Sequence, residues 1–133
     1  MRRSLLSVFL VGAGLLLATA SVFAHHSVSG EFDGGKILDF TGTVKSVEWL
    51  NPHIYTRVEV TDASGKTMVY RVEGNPPNTL FRQGWRKDSL KPGTVVKFKG
   101  IGARNPDSVN ANGQLSLPDG TKLWAGKGPA AVD

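Results

Sequence analysis

Ile54, Thr56, Val58 and Val60 alternate with Tyr55, Arg57, Glu59 and Thr61, and a few residues later Met68, Tyr70 and Val72 alternate with Val69, Arg71 and Glu73. Successive side chains of a strand point to opposite faces, so this period of two predicts two half-buried strands. Asp62-Ala63-Ser64-Gly65 lies between them as a hairpin turn, with glycine supplying a positive φ. The two strands are therefore expected to pair antiparallel.

The other elements are read outward from this hairpin. Residues 37–49 are rich in Phe, Val and Thr and predict a long first strand, in which Gly42 marks a bend or bulge. Leu50-Asn51-Pro52 breaks it. After the hairpin, Asn75-Pro76-Pro77-Asn78 offers two asparagine caps and prolines suited to a first turn. Residues 79–83 should then form a short helix stopped by Gly84, with Leu80 and Phe81 as core anchors. Leu90-Lys91-Pro92-Gly93 turns into a fourth strand over residues 94–101, with Val96 and Phe98 on one side and Lys97 and Lys99 on the other. A loop is expected over residues 102–113. A last broken strand or hairpin, residues 114–117 and 122–124, closes around Asp119-Gly120. The expected fold is mainly β: a small five- to six-stranded OB-like barrel with one short helix between strands 3 and 4. An open sheet or small sandwich is the runner-up.

The chain begins Met1-Arg2-Arg3 and continues through residues 4–24 without a charge, in Leu, Val, Ala, Phe and Gly. A positive start, a short apolar heart and small residues at its end make the order of a cleavable signal peptide. The apolar heart over residues 5–18 is short for a bilayer span, which needs about 20 residues. Cleavage after Ala24 leaves a mature chain that starts His25-His26-Ser27; a second small-residue site, Ala18-Thr19-Ala20, would leave Ser21 first. The expected organisation is a signal peptide over residues 1–24, a flexible arm over 25–36, the β domain over 37–125 and a mobile tail over 126–133. The polar arm carries the pair Gly34-Gly35.

A mature chain of this length holds one domain and one core. With no cysteine in the chain, thiolate metal sites and cysteine nucleophiles are excluded, and stability must come from packing, hydrogen bonds or a ligand. Sixteen basic residues stand against eleven acidic ones; loss of Arg2 and Arg3 with the leader lowers the net charge from +5 to +3. No run of like charges makes a nucleic-acid footprint.

Two of the three histidines open the expected mature chain. Cleavage after Ala24 would free an α-amino group on His25 with a pKa near 8, so amine and imidazole of one residue can chelate a metal. His53, at the start of the second strand, would add another imidazole and complete the three-nitrogen T-shape that suits Cu(II). His26 offers a second version, in which its imidazole, the preceding amide and the terminal amine wrap Cu(II) in a square plane. In the competing reading His25 and His26 are a solvated arm, and His53 packs or caps beside Pro52.

Catalytic constellations are weaker. Glu48 and Glu59, on strands one and two, would need a shared cleft to work as a glycosidase-like acid and base, whereas outward carboxylates on strands are usually solvated or paired, here with Arg57 or Arg71. Trp49, Tyr55 and Trp85, with Tyr70 and Trp124, are candidates for a stacking platform, although most such rings become core. The glycines follow no phosphate-binding pattern, and no nucleophile elbow is present.

Several segments together carry a resemblance: Ala24-His25-His26-Ser27, Val47-Glu48-Trp49, Asn51-Pro52-His53, Glu73-Gly74, Leu80, Gly84-Trp85, Asp88-Ser89-Leu90-Lys91-Pro92-Gly93 and Leu117-Pro118-Asp119-Gly120. With them the chain resembles a family of small secreted proteobacterial proteins known only as a domain of unknown function. The resemblance covers nearly all of the mature chain and implies export and a small β fold; it supplies no reaction, substrate or cofactor. Gly34-Gly35 departs from it, standing where similar proteins tend to have a more polar, proline-bearing stretch.

The sequence thus points to a non-enzymatic binding module, periplasmic or secreted, with copper as candidate cofactor on His25, His26 and His53. The alternative is a metal-free module that meets a small ligand or an envelope protein through Trp49, Tyr55 and Trp85. A copper-dependent oxidative enzyme ranks third. A monomer is expected, with no nucleic-acid partner and no membrane span after signal cleavage.

Overall fold

The computed structural model describes residues 27–126 and 128. It divides into two units at Glu31. In the first, Ser27–Glu31 forms a five-residue helix, α1. The second is mainly β, with five strands in one sheet: β1 (Phe32–Glu48), β2 (Tyr55–Thr61), β3 (Thr67–Glu73), β4 (Val95–Ala103) and β5 (Asn110–Ser116). One short helix, α2 (Pro77–Arg82), lies between β3 and β4, as expected.

The strand pairings run β1-β2-β3-β5-β4 and return to β1. All are antiparallel except β3 with β5, where Arg71, Val72 and Glu73 pair in parallel with Asn110, Ala111 and Asn112. β1 serves two partners: Ile37 through Thr43 pair with β4, and Thr43 through Glu48 pair with β2. Thr43 belongs to both ladders. The changeover demands Gly42, because a Cβ there would lie 2.6 Å from the Glu59 carbonyl oxygen and from Val58 Cγ1. A register shift between Val44 and Ser46 follows, so Lys45 is the extra residue of a bulge.

Alternation settles the inner face. Val44, Val58, Val72, Val96, Phe98, Ala111 and Leu115 are buried, with Ile54, Leu80, Trp85 and Trp124 joining the same cluster. Phe40 stacks between Tyr70 and Phe98, with ring centroids 4.6 and 4.8 Å away. Thr56 is a buried polar residue of this core, and its hydroxyl accepts a hydrogen bond from Trp124 Nε1 at 3.1 Å.

Several boundaries differ from expectation. β1 starts at Phe32, not near Ile37, because Phe32 is itself buried and pairs with Ala103, while the register shifts across the Gly34-Gly35 stretch. β5 starts at Asn110 inside the expected loop: Asn110 pairs with Arg71 of β3 and donates its N–H to the Ser108 hydroxyl at 3.2 Å, while Ala111 and Asn112 pair with both β3 and β4. Residues 122–124 contribute one bridge, Ser116 with Lys122, and no further strand among the described residues. Pro76 caps α2 without a side-chain bond, and Asn75 turns away to donate to the Trp124 carbonyl at 2.9 Å. Gly128 donates its N–H to the Gln83 carbonyl at 2.6 Å; residue 127 and residues 129–133 of the expected tail lie outside the described residues.

Candidate functional site

The chain leaves β1 through Leu50, Asn51 and Pro52, with the Asn51–Pro52 peptide cis, and reaches His53 two residues before β2. Backbone bonds carry the β2–β3 pairing past the strand ends: Gly74 N–H donates to Ile54 O at 2.9 Å and Ile54 N–H donates to Asn75 O at 3.3 Å. Only glycine fits at position 74, where a Cβ would lie 2.7 Å from Ile54 Cγ1. This extension brings His53 against the end of β3. Its Nδ1 lies 2.9 Å from the Gly74 carbonyl oxygen and 3.3 Å from Glu73 Oε1.

Both neighbours of Nδ1 are acceptors, so this nitrogen carries the proton and donates. In the neutral ring, Nε2 then holds the lone pair. The side chain is 38 % exposed, while Glu73 is mostly covered and also accepts from Asn112 Nδ2 at 3.4 Å. An imidazole whose Nδ1–H is fixed by a carbonyl and a carboxylate has the outer-shell support of a metal ligand. Glu73 and Gly74 enter the sequence reading only through the strand pattern and the family resemblance, and Asn112 not at all; the pairing of β3 with β2 and β5 brings them to the site.

His25 and His26 lie outside the described residues, so the other two members of the expected copper set have no position to compare with His53. Among the described residues, no group of three His, Cys, Asp or Glu side chains is arranged to hold a metal.

A second cluster occupies the outer face of the same strands. Glu48 accepts from Arg57 Nε, and its Oε2 accepts from Arg71 Nε at 3.1 Å and Nη2 at 3.0 Å. Burial alone would raise the Glu48 carboxyl, but the hydrogen bonds and charges of the two arginines outweigh it and hold the carboxyl below its ordinary range. The Arg71 guanidinium also covers Tyr55, 3.4 Å from the ring centroid. Glu48 pairs across from Tyr55, whereas Glu59 sits opposite Thr43 and meets Lys45 at 3.4 Å. The register therefore separates the two carboxylates considered as an acid–base couple and gives Glu48 two arginines and Glu59 a lysine.

The three aromatic candidates are dispersed. Trp85 is only 3 % exposed and packs edge-on to Trp124, with centroids 5.0 Å apart. It turns inward because Gly84, at φ 92°, reverses the chain after α2 and the Trp85 N–H returns to the Leu80 carbonyl at 2.9 Å. Tyr55 stands on the outer face under Arg71, and Trp49 is half-buried with its ring 5.9 Å from Trp124. A common stacking platform of Trp49, Tyr55 and Trp85 is therefore not formed.

A family model described as a family of unknown function, DUF6152, matches residues 13–112, well over half of the chain. No curated protein and no solved structure matches.

Proposed function

This chain belongs to DUF6152, a family whose description assigns no activity, and we propose that it is an exported, non-enzymatic Cu(II)-binding module. Its closed strand order, with the long first strand shared between two ladders, supports an OB-type barrel as the scaffold. His53 Nε2 is one ligand; the amine and imidazole of His25 at the processed terminus are the others, with His26 beside them. The observation that carries this reading is the double anchor on His53 Nδ1, from the Gly74 carbonyl at 2.9 Å and Glu73 at 3.3 Å. It leaves the other nitrogen free to donate and fixes the ring against rotation.

Processing after Ala24 belongs to the proposal, because the α-amino group of His25 exists only then. The test begins with the protein exported from its own leader, its terminus determined by mass spectrometry. Cu(II) titration then compares it with the His53→Ala variant and with a form extended by one N-terminal methionine. Each change is expected to weaken Cu(II) binding at least tenfold. Unchanged affinity in His53→Ala would remove His53 from the ligand set. A mature chain starting at Ser21 would remove the terminal chelate.

A further inference from the structure

Leu80 and Phe81 are neighbours on a six-residue helix, and only one of them reaches the core. Leu80 is fully buried, whereas Phe81 is 59 % exposed, since adjacent helical positions are about 100° apart and α2 turns one face to the sheet. Phe81 forms one wall of a cleft of about 430 Å³ lined by Trp49, Arg86, Lys87 and Asp88. That volume lies within the range of small-molecule sites, roughly 300–1,000 Å³.

The chemistry of the lining is asymmetric. Trp49 and Phe81 offer ring surfaces, and Trp49 is steadied from behind by its edge contact with buried Trp124. Arg86 is already fixed: its Nη1 donates to the Phe81 and Trp85 carbonyls at 3.1 and 2.8 Å, and its guanidinium lies 4.1 Å from the Phe81 ring centroid. Lys87 adds a second positive charge against the single carboxylate of Asp88. Two rings and a net positive rim match a planar apolar body carrying a negative group.

We infer that this cleft binds a small aromatic organic anion, an aryl carboxylate or sulfonate, with its ring against Trp49 and Phe81 and its charge toward Arg86 and Lys87. Copper has no part in this site, and the experiment is run with a chelator present, so its failure and that of the copper reading are distinct. The probe is naphthalene-2-carboxylate, compared with naphthalene-2-methanol, which has the same rings and no charge. Amide and indole NMR shifts of the whole protein are followed as each is added.

Saturable shifts at Trp49, Phe81 and residues 86–88 are expected, with the acid binding at least fivefold more tightly than the alcohol. Phe81→Ser, at an exposed position, should keep the melting temperature and lose at least fivefold in affinity for both probes. Lys87→Gln should lose affinity for the acid and leave the alcohol unchanged. Equal binding of the two probes, shifts centred elsewhere or no saturation would overturn the inference.

Discussion

The strip formed by β1, β2 and β3 has two sides that are held in opposite ways. Inside, Val44, Val58 and Val72 pack with the tryptophans, and the buried Thr56 hydroxyl has its partner in Trp124. Outside, Tyr55, Arg57 and Arg71 gather around Glu48 in partial contact with water. The inner side draws on buried apolar area, where every removed group leaves a hole. Interactions on the outer side are exchanged against solvation and are individually small. Substitutions on the two sides should therefore differ in size and in their response to pH.

The largest effect is expected at Trp124. This residue has φ 57°, unusual outside glycine, and four contacts hold it there: Nε1 on Thr56, the Asn75 amide on its carbonyl, and ring contacts with Trp49 and with Trp85. Trp124→Ala removes the ring, leaves the buried Thr56 hydroxyl without its donor and keeps the unfavourable φ. A loss of about 3–5 kcal/mol is expected from urea unfolding. A loss under about 1 kcal/mol would mean that the tryptophan cluster is not part of the load carried by the inner side.

Next in size is Leu80→Ala, which opens a cavity under α2 and should cost about 2–5 kcal/mol. Its neighbour serves as the control. Phe81→Ser should stay within about 0.5 kcal/mol of the wild type, because the ring is largely in solvent. Equal losses at the two positions would erase the distinction between a core anchor and a cleft wall one residue apart.

These contrasts also mark what the sequence could convey. Period two in β2, β3 and β4 was legible because each strand has one wet and one dry side, and side-chain polarity records it. Of β5 only the end, from Gln114, was legible; its start was not, since Asn110, Asn112 and Gly113 lack that pattern and their part of the strand exists through pairing with β3 and β4. A Cβ at Gly113 would run into the Lys99 carbonyl, a requirement set by another strand and invisible along the chain. Phe32 was masked in the same way by the glycines after it. His53 could be picked out by residue type, but its anchors on Glu73 and Gly74 come from the end of β3, twenty residues away. For the aromatic candidates, type and number say that rings are present, while the reversal at Gly84 decides that Trp85 points inward.

A smaller loss than at either core position is expected on the outer side, at Glu48. Glu48→Gln keeps the shape and removes the charge that Arg57 and Arg71 share, for a loss of about 1 kcal/mol at pH 7. The sign with pH follows from the direction of the shift. The folded protein holds the Glu48 carboxyl below its ordinary value, so the unfolded chain takes up the proton first as pH falls. The stabilisation is therefore complete above the ordinary glutamate pKa of about 4.3 and is lost as the pH drops through the folded value. Urea unfolding of wild type and Glu48→Gln at pH 7, 5 and 3 should give a gap that persists to pH 5 and narrows by pH 3. A gap that stays constant to pH 3 would assign the effect to packing of the side chain, and the outer side would then resemble the inner one after all.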